Sequence, residues 1–169
     1  MHPRSVLLPA TLAVCAGLFS ACGSISTTSD ANRLEVLATD NHLVAVAYRA
    51  QGKSEGACIH KIRTHAIASD RDAAQCISDG LTASGLEAAI GRLHRHVLDI
   101  GKGHSEACGK ATTHLASIVA QEQGYIHASQ EDLARLDAQA YSDDGMRAGE
   151  TAAREGAPSA AVLRACADG

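Results

Sequence analysis

Residues 84–119, SGLEAAIGRLHRHVLDIGKGHSEACGKATTHLASIV, decide the fold class. Leu86, Ile90, Leu93, Val97 and Ile100 recur every three or four positions, the spacing that lays apolar side chains along one face of a helix. Ser84 and Glu87 stand at capping-box spacing before that stripe, and Gly101 and Gly103 stop it. Ser105 can then cap the next helix, with Cys108, Ala111, Leu115, Ile118 and Glu122 along one face and Gly124 past its end. The stretch predicts two helices joined at a short glycine corner.

The corner, GKGHSEACGKAT at 101–112, superficially invites a phosphate-gripping loop. That loop needs four residues between its glycines and a hydroxyl after the lysine. Here five residues separate Gly103 from Gly109, and Lys110 is followed by Ala111, which cannot hold a magnesium ion. Glu106 would also sit among phosphates, and the segment before the corner has helical rather than strand periodicity. No nucleotide is expected as a ligand.

Outward from this corner the same argument covers the chain. A first helix is expected from about Asn32 to Ala50, although its LVAVAY segment also fits a strand. Gly52 to Gly56 breaks the pattern. A second helix then carries Cys58, Ile59, Ile62, Ala66, Ala73, Cys76 and Ile77 and ends near Gly80. Beyond Gly124, Ser129 caps a fifth helix with Asp132 in its first turn and Leu133, Leu136 and Ala140 inward. Asp143-Asp144-Gly145 interrupts it, a polar stretch runs to Gly156, and Pro158 starts a short last helix with Val162, Leu163 and Cys166. The expectation is an all-α, up-and-down bundle of about five to six helices stapled by two disulfides. Composition agrees: there is no Trp and a single Phe, so aliphatic side chains must fill the core. The formal charge of −4 at pH 7 singles out neither nucleic acid nor an anionic membrane surface as partner.

The N-terminus reads MHPRSVLLPATLAVCAGLFSAC. Arg4 precedes an apolar run from Val6 to Ala21, about 16 residues with Pro9 inside it, short of the roughly 20 that span a bilayer. That is an export signal. Phe19-Ser20-Ala21-Cys22 resembles the lipobox of bacterial lipoproteins, with Phe where the family pattern has Leu. The resemblance implies a signal peptide at 1–21, cleavage before Cys22, and a lipidated Cys22 as the new N-terminus. The absence of Asp after the cysteine resembles lipoproteins sorted to the outer membrane and facing the periplasm. Cleavage without lipidation, leaving a soluble periplasmic protein, is the alternative. Residues 22–31, with their Ser/Thr-rich run, read as a flexible tether, and 32–169 as one helical domain.

Export settles the cysteine chemistry. Cys15 leaves with the signal and Cys22 takes the lipid, so Cys58, Cys76, Cys108 and Cys166 remain, an even set in an oxidising compartment. An internal echo, SEGACIHKIRTH at 54–65 against SEACGKATTH at 105–114, places Cys58 and Cys108 alike in their segments. It favours Cys58–Cys108, leaving Cys76–Cys166. Cys58 and Cys76 on one helix would be about 27 Å apart, and only a sharp break at Ser69-Asp70 brings them together.

Nine histidines invite a metal site. Two ligands on one helix face need spacing of three or four, yet His60 and His65 are five apart and His94 and His96 two. Any metal centre must be assembled from different helices, with His94, His96 and His104 as the candidates. No G-x-S-x-G occurs, paired cysteines offer no thiolate, and the adjacent carboxylates Asp143-Asp144 and Glu131-Asp132 have turn and cap roles, so neither enzyme activity nor a cofactor is expected. In size, location and disulfides the chain resembles the broad class of small lipoprotein inhibitors and immunity proteins. That resemblance implies a membrane held through the N-terminal lipid and a periplasmic protein partner, with Asp143, Asp144 and Glu150 as candidate contacts. A periplasmic metal binder and a structural envelope lipoprotein are the alternatives.

Overall fold

In the computed structural model, residues 26–102 and 104–167 are described; the leader and Cys22 lie outside them. Six helices follow in order: α1 (Ser26–Arg63), α2 (Asp70–Ser84), α3 (Leu86–Ile100), α4 (Glu106–Ala134), α5 (Ala138–Ala153) and α6 (Gly156–Ala167). The chain is an all-α, up-and-down bundle, and no strand occurs among the described residues. α4 is its spine, packing against α3, α5 and α6 and more lightly against α2, while α3 also packs on α1 and α1 on α2.

Two helices are longer than periodicity alone predicts. α1 runs 38 residues without interruption, about 57 Å at the helical rise. Gly52 and Gly56 lie inside it, and a Cβ at either would meet nothing within 4 Å, so both sit on the solvent side. The inward line is Leu37, Asp40, Val44, Ala47, Gln51 and Cys58, all buried. That spacing makes LVAVAY helical, with Val44 and Ala47 inside and Val46 outside. α1 also begins at Ser26, within the segment read as a tether.

The reversal comes at 64–69 instead of 52–56. His65 takes a left-handed φ of 57°, its N–H donating to Ile62 O while Ala66 N–H donates to Lys61 O, a Schellman ending without glycine. Ser69 then caps α2, accepting from Asp72 N at 3.1 Å.

α4 likewise runs through Gly124, which is exposed, and through Ser129, which is buried with its hydroxyl donating to Ile126 O. It ends in a second glycine-free Schellman turn at Leu136, φ 60°, which turns that side chain outward, 48% exposed. Asp137 caps α5, and Asp143-Asp144-Gly145 lie inside that helix. The Ser105 cap forms as expected, accepting from Cys108 N. Ser84 instead closes α2, donating to Leu81 O, and Gly85, at φ 67°, is the one-residue corner into α3. Glu87 therefore has no capping role; it accepts from Gln130 on α4.

Both expected disulfide pairs are corrected. The bonds are Cys58–Cys76, Cα atoms 5.9 Å apart, and Cys108–Cys166, 4.7 Å apart. The turn at 64–69 folds α2 antiparallel onto α1 and brings Cys76 beside Cys58. The echo misled because Cys58 lies near the end of α1 whereas Cys108 lies in the first turn of α4. One turn of helix away from the first bond, Gly80 rests on α1 so closely that a Cβ there would lie 2.0 Å from Ser54 Oγ.

Candidate functional site

Where the two long helices carry polar residues inside their apolar stripes, a buried polar cluster forms. Leu37, Val44, Gln51 and Cys58 recur at sevens on α1, and Cys108, Leu115, Glu122 and Ser129 at sevens on α4, and all eight are buried. Glu122 is fully buried, and its Oε1 accepts from Tyr48 Oη across the bundle at 2.5 Å. Burial, then the Glu122 charge, hold the Tyr48 phenol well above its ordinary value, so it stays a donor through the neutral range.

The second carboxyl comes from the corner between α5 and α6. Glu155 is buried, and burial together with a hydrogen bond to Glu122 and that group's charge pushes its pKa up to about 9. Two ionised carboxylates can only accept, which leaves Glu122 Oε2 and Glu155 Oε1 without partners. A proton retained by Glu155 turns it from an acceptor into a donor toward Glu122. The bundle interior thus contains a proton-sharing carboxyl pair capped by a tyrosine.

Beside it, between α1 and α5, opens a cleft of about 370 Å³ lined by Tyr48, Gln51, Gly52, Glu55, Leu81, Leu86, Ile126, Ser129, Tyr141, Ser142, Gly145 and Met146. Glu55 accepts from Gln51 Nε2 at 2.7 Å and from the Tyr141 hydroxyl. Burial, then that bond to Glu55, raise the Tyr141 pKa. Gln51 Oε1 is buried without a partner.

The residues singled out from sequence lie elsewhere. His96 Nδ1 bonds buried Asp40 of α1 at 2.6 Å, with Arg92 Nε 3.8 Å from the same carboxyl. His104 Nδ1 meets Arg33 at 3.4 Å, and His94 is half-buried on α3. These three histidines belong to no group of three or more metal-ligating side chains among the described residues. Asp143 and Glu150 are seven apart on α5 and exposed; Asp143 accepts from Gln139, and Asp144 pairs with Arg147 at 3.3 Å. Arg147 stands between them on that face, so the α5 surface is of mixed charge.

Glu122 was on the predicted stripe, whereas Tyr48, Gln51, Glu55, Tyr141 and Glu155 were not singled out. The readable signal for them is the seven-residue recurrence of polar among apolar positions. No family model, curated protein or solved structure matches the chain.

Proposed function

We propose that this protein is a lipid-anchored, periplasm-facing helical module that binds another protein, in the manner of inhibitor or immunity lipoproteins. The observation that carries the reading is the joining of a lipobox-type leader to a body closed by two disulfides. Such bonds form and persist in oxidising compartments, which agrees with export. The Glu122–Glu155 pair is wrapped in the core and paired with Tyr48, an arrangement that suits structural specificity better than proton transfer to a substrate. α5 supplies the candidate contact surface, with Asp143 and Glu150 on one face and Asp144 beside them.

Native mass spectrometry of the full chain isolated from its own envelope tests this. A second protein at fixed ratio is expected, and alanine at Asp143, Asp144 and Glu150 together should weaken its binding about three- to tenfold at low salt, because rim charges each contribute little. Recovery of the chain with no stoichiometric protein would overturn the binding reading and leave a structural envelope lipoprotein. Unchanged affinity in the triple variant would remove α5 as the contact.

A further inference from the structure

We propose that the outward face of α1 is a docking surface for anionic phospholipid headgroups, so that the bundle lies along the bilayer that holds its lipid. The inference rests on the lipid-anchored reading and adds to it the side of the bundle that meets the membrane. A formal charge of −4 conceals an uneven distribution. Between Val36 and Arg63, α1 carries two acidic residues, and both are turned inward. Asp40 is 3% exposed and bonded to His96, while Glu55 is half-buried and accepts from Gln51 and Tyr141. His42, Val46, Arg49, Lys53 and His60 stand at steps of three, four and seven along the exposed side. The last turn, exposed all round, adds Lys61 and Arg63. Among the described residues no carboxylate pairs with Arg49, Lys53, Lys61 or Arg63, whereas Lys102, Lys110, Arg135 and Arg147 each have one.

An unpaired cationic strip fits an anionic surface, and two observations choose a bilayer over an acidic macromolecule. First, α1 begins at Ser26, four residues after the lipobox cysteine, and four residues span at most about 14 Å. A lipid on Cys22 therefore ties one end of α1 close to the headgroups. Second, four of the seven exposed large apolar side chains among the described residues are on α1, and three of them, Val46, Ile59 and Ile62, lie among the cations. Apolar groups mixed with lysine and arginine suit a membrane interface, where the first enter the headgroup boundary and the second meet its charge.

The chain contains no tryptophan, so a single introduced one reports its own surroundings. Val46→Trp puts it in the strip, and Ser117→Trp puts it on the exposed side of α4, across the bundle. The protein isolated from the envelope is reconstituted on vesicles of brominated phosphatidylcholine, alone or mixed with phosphatidylglycerol. In the mixed vesicles bromine should quench Val46→Trp several-fold more than Ser117→Trp, and the difference should vanish at about 1 M NaCl, where the screening length is about 3 Å. Adding Arg49→Gln and Lys53→Gln should lower the ratio of docked to undocked protein roughly tenfold or more. Should Val46→Trp fail to fold, the wild type still decides: on mixed vesicles Lys53 and Lys61 should be shielded from acetylation while exposed Lys110 is not. Co-flotation with phosphatidylcholine alone reports the lipid anchor by itself. Its absence, with Val46→Trp still quenched in the mixed vesicles, would refute the anchor and keep the face. Equal quenching at the two positions, equal acetylation of the three lysines, or quenching indifferent to phosphatidylglycerol, salt and the double change would overturn the proposal and leave the strip to an acidic protein or nucleic acid.

Discussion

Glu155 keeps its proton well into the neutral range because burial and the neighbouring Glu122 both disfavour its charge. Its folded pKa, about 9, lies above the ordinary 4.5 of a free glutamate, so the sign of the linkage is fixed. The stabilisation is fully present below about pH 4.5 and is lost as pH rises toward 9, at no more than about 1.4 kcal/mol per pH unit and less where solvent screens the pair. The urea midpoint should therefore fall between pH 5 and pH 9. Glu155→Gln donates to Glu122 at every pH and should flatten that slope; parallel curves for the two proteins would refute the shared proton. A second single-residue effect belongs to Leu136, a leucine held at φ 60° and turned to solvent. Leu136→Gly relieves a left-handed strain of about 1–2 kcal/mol, so it should raise the thermal midpoint; a lower midpoint would mean that the leucine packs against something after all.

At the scale of elements, helix type and the α3–α4 corner were legible while the lengths of α1 and α4 were not. Leu86, Ile90, Leu93 and Val97 form an unbroken apolar stripe and are almost fully buried, so period alone identified α3. In α1 and α4 the same stripe is interrupted by Asp40, Gln51, Thr112 and Glu122, all buried, with Asp40 bonded to His96 and Glu122 to Tyr48. Single-sequence periodicity counts those positions as polar and loses the line. Glycines added to the confusion: Gly52, Gly56 and Gly124 are punctuation in most chains, yet here they lie on the open side of continuous helices. The true ends at His65 and Leu136 carry no glycine at all. Gly52→Ala and Gly124→Ala should each stabilise by about 0.5–1 kcal/mol, the helix-interior difference, measurable by denaturant unfolding. Destabilisation at either would place a break where the helix is drawn as continuous. The candidate site was hidden for the same reason as the lengths, since it is built from the polar positions inside those stripes. Only Glu122 stood out beforehand.

At the scale of the molecule, the two disulfides divide the labour of closure. Cys58–Cys76 locks one helical hairpin across a separation of 18 residues, and Cys108–Cys166 ties the start of α4 to the last helix across 58. Loop-closure entropy makes each worth roughly 3–4 kcal/mol, the longer one somewhat more. α6 is the helix most dependent on its bond, because it is short and packs mainly on α4. Tryptic mapping of the protein isolated from the envelope without reductant tests these bonds together with export. Cleavage after Lys53, Lys61, Arg71, Arg92, Lys102, Lys110 and Arg164 leaves each of the four cysteines on its own peptide. The predicted result is two cross-linked pairs, 54–61 with 72–92 and 103–110 with 165–169, beside an N-terminal peptide that begins at an acylated Cys22. Free thiols, a link between the Cys58 and Cys108 peptides, or an N-terminus retaining residues 1–21 would contradict it.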